Sequence, residues 1–340
     1  MSDITTIGLD LAKNVFQVHG VDESGHVVVR KQLRRGQVVG FFARLSRCLI
    51  GMEACATAHH WARELMALGH EVRLMPPQYV KAYVKRNKND AADAEAICEA
   101  VKRPAMRFVP VKTVEQQSVL MMHRARDLLV RQRTMLVNAL RGHLAEFGLV
   151  GAQGLHKVAA LVAIIRNGTD ERVPEVARQV LTVIASQIDE VEARIAVLEA
   201  QVLAWHRSNP VSQRLATIPG IGPIIATAIA ATVPDPSVFR TGREFAAWLG
   251  LVPRQNSTGG RARLGGISKR GDSYLRRLLV NGAHAVLFWS KMAKTDPWLT
   301  SLRARKHRLA VAVALANKTA RIAWAVMSRE QIYRPVAAAA

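Results

Sequence analysis

The feature that most constrains this chain is the alternation within its first 75 residues. Residues 4–10 (ITTIGLD), Val15–Val21 and His26–Leu33 are β-rich, and the last two are joined by the turn Asp22-Glu23-Ser24-Gly25. Three strands with such short connections form a meander. Helical spacing follows at Val38–Arg47, a short apolar strand at Leu49–Glu53, a second helical stretch at Ala58–Leu68, and a fifth strand at Glu71–Met75 before Pro76-Pro77. Two of the strands end in an acid, Asp10 and Glu53.

Three strands, then helix, strand, helix, strand, is the order expected of a ribonuclease-H-like α/β fold. In a sheet where the two acid-tipped strands pair, both carboxylates reach one edge. Residues 87–97 (NKNDAADAEAI) pass from turn formers into helix formers, and Asp90 and Asp93 share a helix face. These two acids have two readings. Asp90 can cap the helix with Asp93 favoured by its dipole, or both can join a metal cluster. Two like charges ~4 Å apart at an effective dielectric of ~20 repel by ~4 kcal/mol. Four gathered carboxylates therefore need protons or cations, and carboxylates with open positions suit Mg²⁺. Two such ions about 4 Å apart clamp the attacking and leaving oxygens of a phosphodiester.

Length allows two domains with cores, and 49% of the residues are apolar, so a disordered basic tail is excluded. The net charge of +22 points to a polyanion, most often nucleic acid. Leu309–Met327 is the best candidate for a membrane span, but Asn317, Lys318 and Arg321 interrupt it, so no membrane partner is expected. The start MSDITTIGLD has no signal-peptide character, and Cys48, Cys55 and Cys98 form no CxxC pair. Both fit a protein of the bacterial cytoplasm, working at the nucleoid. Aromatics are only 5%, which argues against a reader built on stacked aromatic platforms.

Further along, Val119–Phe147 reads as a helix with mostly basic polar positions: His123, Arg124, Arg126, Arg131, Arg133, Arg141 and His143. It is a solvated face or a nucleic-acid contact. Glycines at 148, 151, 154 and 168 suggest a domain change within 148–170. A heptad seam then runs through Leu181, Ile184, Ile188, Val191, Ile195, Leu198 and Val202. It pairs either with the 119–147 helix or with a second chain. The turn Ile218-Pro219-Gly220-Ile221-Gly222 before the helix Ile224–Val233 looks like a helix–hairpin–helix element, whose Gly220 and Gly222 amides would bind a DNA phosphate. A plain helix–helix turn is the alternative. Phe245–Leu251, Leu275–Trp289 and Leu309–Met327 read as further helices, with Arg303, Arg305, Lys306 and Arg308 between the last two, and Ala337–Ala340 as a frayed end.

Between them lies Arg254–Arg277, RQNSTGGRARLGGISKRGDSYLRR, with two glycine pairs and seven basic residues against the single acid Asp272. Glycines let backbone amides approach a phosphate, and cations neutralise it. By itself the stretch is a phosphate grip or the seat of a nucleophilic hydroxyl.

The motifs GLDLAKN with Asp10, GMEACATAHH with Glu53, NKNDAADAEAICEA with Asp90 and Asp93, LVPRQNSTGGR and GISKRGD, taken together and in this order, resemble the DEDD transposases of insertion sequences, the IS110 family and its IS1111 subgroup. The resemblance covers nearly the whole chain. It implies a RuvC-like, ribonuclease-H-fold domain over residues 1–110 carrying four catalytic, Mg²⁺-holding acids. It implies a helical linker and central coiled coil over 111–205 and a mostly helical C-terminal transposase domain over 206–335. It further implies site-specific recombination of donor and target DNA, guidance by an element-encoded non-coding RNA, tetramers, and a catalytic serine forming a covalent phosphoserine link. The family serine lies before a glycine after the LxPR segment, where this chain has Ser257 and Thr258. Ser257 is favoured as the less hindered primary hydroxyl, and Thr258 is the alternative. Arg254, Arg261, Arg263, Lys269 and Arg270 would hold phosphates. Two rivals are a RuvC-like nuclease or junction resolvase using water, and a non-catalytic nucleic-acid-binding protein.

Overall fold

The computed structural model describes residues 3–84, 90–168, 170–261, 263–290 and 292–335, with the side chains of Asp90, Met292 and Ala293 left aside. Asn87–Asn89 of the NKND motif and Ala337–Ala340 lie outside the described residues. The chain divides into two compact units, Met1–Glu115 and Gln116–Ala340.

The first unit is built from β1 (Thr6–Asp10), β2 (Val15–Val21), β3 (Val27–Arg34), α1 (Val38–Phe42), β4 (Leu49–Glu53), α2 (Ala58–Ala67), β5 (Glu71–Met75), α3 (Pro77–Val80) and α4 (Asp90–Val101). This is the element order read from the sequence. α1 is shorter than expected, because the chain tightens after Phe42 into turns bonded from Arg44 to Phe41 and from Leu45 to Phe42. The strands form one mixed sheet of order β3-β2-β1-β4-β5. The meander is antiparallel, while β1, β4 and β5 are parallel.

Alternation along the strands divides the sheet's faces. Ile7, Leu9, Ile50 and Met52 pack with Val38 and Phe42 of α1 and Trp61 and Leu65 of α2. Gly8 and Gly51 lie on the opposite face, beneath α4. A β-carbon on Gly8 would overlap the Ala94 carbonyl and stand 2.9 Å from the Cys98 β-carbon, and one on Gly51 would stand 2.8 Å from the Val101 β-carbon. Glycine at both positions lets the helix rest on the strand backbone.

The second unit contains α5 (Val114–Ala145), α6 (Val158–Asn167), α7 (Glu175–Ser208), α8 (Pro210–Ala216), α9 (Pro223–Thr232), α10 (Gly242–Trp248), β6 (Pro253–Gln255), β7 (Leu264–Ile267), α11 (Ser273–Trp289), α12 (Met292–Thr295), α13 (Pro297–Arg305) and α14 (Arg308–Arg329). α5 and α7 pack as an antiparallel pair. Arg126 bonds Glu199 at 2.6 Å, and seven residues further along α5, Arg133 pairs with Glu192 at 3.7 Å. Leu181, Ile188, Val191, Ile195 and Val202 of the heptad seam are buried within this one chain, the first two beside Val137, Leu140 and Leu144 of α5. α14 has the length and composition of a membrane span. Its Val311, Leu315, Ala316, Ala320 and Ala323 are instead buried in a core shared with α8 to α11.

Candidate active site

The register of β1 against β4 ends at Leu9↔Met52. One residue further, Asp10 and Glu53 stand level at the carboxyl ends of neighbouring parallel strands. Both belong to the face of Gly8 and Gly51, two residues on in each strand. Both carboxylates raise the pKa of the nearby Cys55 thiol, after the larger effect of its burial. The sheet therefore brings these two acids together.

α4 supplies the third and fourth acids. Ala94 and Cys98 both lie against Gly8, and the Cys98 thiol reaches back to the Thr6 carbonyl at 3.8 Å. Ascending α4 thus means descending β1. The start of the helix, with Asp90 as its first residue and the half-buried Asp93 one turn on, lies at the Asp10 end. No group of three or more metal-type ligands is gathered closely enough to hold an ion among the described residues. After Glu53 the chain leaves the sheet through Thr57, a non-glycine residue with a left-handed φ of 70°. Such strain costs about 1–3 kcal/mol and collects at functional sites.

In the second unit, Arg254–Arg277 is an arm with a clamped root. β6 and β7 pair antiparallel, with Pro253 opposite Ile267 and Gln255 opposite Leu264. At the tip, the Arg261 amide bonds the Thr258 carbonyl at 3.1 Å, across Gly259 and Gly260 with φ of 55° and 77°. Two left-handed residues in succession are what a tight hairpin turn of this hand requires. The sequence did not suggest these strands, since LGGI is too glycine-rich to read as one. At the root, Gly250 crosses Arg270 and Gly271 crosses Trp248 too closely for any β-carbon. The Arg276 guanidinium donates to the carbonyls of Leu249 (2.9 Å) and Arg270 (3.1 Å).

This sorts the charges of the arm. Arg276 clamps its root, Arg277 pairs with Asp127 and lies over the Tyr274 ring, and Asp272 caps α11 by accepting from the Leu275 amide. Arg254, Arg261, Arg263, Lys269 and Arg270 are exposed. Lys269 takes a left-handed φ of 55°. The Ser257 oxygen accepts from the Gln255 side-chain Nε2 at 3.1 Å and the Arg263 backbone N–H at 3.3 Å. Thr258 provides the backbone carbonyl that closes the turn. Of the PGIG glycines, Gly220 is pressed against Gly282 of α11, whereas Gly222 is exposed and precedes α9.

His123 corrects one expectation. Read as part of a basic face, it is 1% exposed. Its Nε2 lies 3.0 Å from Thr227 Oγ1 and its Nδ1 lies 3.0 Å from the Tyr274 hydroxyl. Thr227 donates its own proton to the Pro223 carbonyl at 2.7 Å. The imidazole must therefore donate from Nε2 and accept the Tyr274 proton at Nδ1. Burial, then the nearby Arg126, lowers its pKa to about 4. It is a neutral core residue, and its spacing from the buried Val119 and Val137 is the signal that places it on the inner face.

The first unit presents a sheet edge tipped with acids and the second a basic, glycine-turned arm, features suited to a protein that handles a polyanion such as nucleic acid. Residues 7–148 match a DEDD-type family described as transposase, and residues 212–296 match the Transposase IS116/IS110/IS902 family. A probable family 20 transposase of Pseudomonas aeruginosa is 55% identical over 98% of this chain and 99% of the relative. The transposase for insertion sequence element IS1111A of Coxiella burnetii is 41% identical over 98% and 92%, and that for IS1328 of Yersinia enterocolitica is 40% identical over 98% and 99%. The chain belongs to the IS110 family of insertion-sequence transposases, enzymes that cut and rejoin DNA.

Proposed function

We propose that this transposase cuts and rejoins DNA through Ser257, guided by a structured RNA from its own element. The observation that carries this reading is the setting of the Ser257 hydroxyl. Its oxygen accepts two N–H donors, on an arm clamped at its root and flanked by five exposed cations. Donors aimed at that oxygen stabilise the alkoxide needed for attack. The Ser257 oxygen bonds to phosphorus, the bond to one DNA end breaks, and the departing oxygen takes up a proton as the serine loses its own. The phosphoserine link keeps the bond energy, so a DNA hydroxyl can reverse the step. Arg254, Arg261, Arg263, Lys269 and Arg270 hold phosphates during exchange, and the turn carrying Gly220 and Gly222 adds a contact of helix–hairpin–helix type.

Asp10, Glu53, Asp90 and Asp93 would hold Mg²⁺ in a RuvC-like domain over 1–110. The donor set fits, since level carboxylates on adjacent strands beneath a helix start suit a hard, oxygen-preferring cation. Such a cation would neutralise charge on the scissile phosphate. The helical segment 111–205 and the transposase domain 206–335 complete the chain. Assembly into tetramers is supported by Met121, Leu128 and Met135, a stripe of seven-residue period on α5 that is 59–70% exposed. RNA guidance rests on the family resemblance and the +22 charge.

The test is a nicked donor substrate incubated with protein, Mg²⁺ and candidate element RNA, and resolved under denaturing conditions. A protein–DNA adduct is expected from the wild type and from Thr258→Ala, and none from Ser257→Ala or with chelator. Free DNA ends without adduct would instead assign water as the nucleophile. Equal exchange without RNA would sink guidance.

A further inference from the structure

We propose that the junction of α11 with α13 and α14 is a platform on which an unpaired DNA base stacks, with Trp289 as its open surface. The low aromatic content gives no reason to look for one, yet the fold gathers aromatics here. Trp289, the last residue of α11, is 87% exposed, and Phe288 is 51% exposed. Phe288 is held on both counts that matter: the His284 ring stacks with it at 6.5 Å and 27°, and the Arg308 guanidinium lies 4.0 Å from its centroid. Those contacts fix the end of the helix and leave the neighbouring indole in water.

The surrounding charge selects the occupant. Arg308 lies against Phe288 and ends a stretch of sequence that also carries Arg303, Arg305 and Lys306. The single acid between Ser290 and Arg308 is Asp296. It is already engaged, capping α13 through the Leu299 amide (3.1 Å) and pairing with Lys318 (3.4 Å). An exposed indole next to an arginine-flanked phenyl ring, at the end of a basic stretch, suits a base with its flanking phosphates, because every base offers a π-face and every linkage a charge. Duplex DNA keeps its bases inside, so the platform serves a strand that has been opened. The site lies apart in sequence from Ser257, and its test does not depend on that residue.

The experiment is fluorescence anisotropy of the full chain with labelled oligothymidylate, the same strand made abasic, a duplex, and oligouridylate, at fixed salt. Trp289→Ala is expected to weaken oligothymidylate binding about 10-fold. Trp289→Phe should stay near wild type, and binding of the abasic strand and the duplex should not change. Lys306→Gln should weaken the normal and abasic strands alike. Three results would overturn the proposal: no loss in Trp289→Ala, an equal loss on the abasic strand, or a larger loss on oligouridylate than on oligothymidylate. A change in oligomeric state with strand binding intact would assign the surface to a second copy and also overturn it.

Discussion

Gly8 of β1 and Ala94 of α4 are in backbone contact, so the helix that carries Asp93 rests on the strand that ends in Asp10 with no side chain between them. The spacing of helix and strand, and with it that of the acids, is therefore set by the absence of one methyl group. Gly8→Ala should destabilise the protein by about 3 kcal/mol, at the upper end for overpacking, because the obstacle is backbone. Gly51→Ala, which meets the Val101 side chain, should cost about 1 kcal/mol. Urea unfolding measures both, and equal costs would mean that α4 shifts freely.

His123 makes stability depend on pH. Its pKa falls from 6.5 unfolded to about 4 folded. Between those values the unfolded chain binds the extra proton, so stability declines as pH falls from 6.5 towards 4 and gains nothing from this residue above 6.5. The full effect is about 3 kcal/mol. His123→Gln should flatten the profile of unfolding free energy over that window while lowering stability at neutral pH.

The basic residues of the arm should separate into two groups. Arg263→Gln or Lys269→Gln should reduce the salt slope of DNA binding by about one unit and leave the melting temperature unchanged. Arg276→Gln should do the reverse, loosening the root by about 1–3 kcal/mol because two backbone carbonyls lose a charged donor. Arg277→Ala, whose ion pair with Asp127 is half exposed, should cost under about 1 kcal/mol.

The hairpin tip depends on backbone freedom alone. Gly259 and Gly260 have open space around them, so alanine at either is opposed only by its positive φ, by about 1 kcal/mol. Asparagine tolerates that conformation better. Gly259→Asn should therefore retain more strand exchange than Gly259→Ala, with a melting temperature no lower than that of the alanine variant. If the two variants lose exchange equally, the turn is not what the glycine serves.

The sheet was legible because its strands are short, β-rich and bounded by turn formers, and two of them end in acids. Its glycines carried a further message that propensity does not express, namely that a helix would lie on them. The seam of α7 was visible as a heptad with two possible partners, and the shared core with α5 and the ion pairs Arg126–Glu199 and Arg133–Glu192 show it packed within the chain. The arm's hairpin was not legible, because glycine-rich strands lack the side chains that mark a strand. The setting of Ser257 was equally hidden, since one of its donors is the backbone of Arg263, six residues away.

The crossing of Gly250 with Arg270, and of Gly271 with Trp248, separates two kinds of heritable change. Residues outside the knot are constrained by a shared interior, whereas those between its two strands answer only to whatever the tip touches. Charge swaps on the exposed side chains of the tip leave the core of the body untouched. The charge the tip presents can thus change while the interior of the second unit keeps its packing.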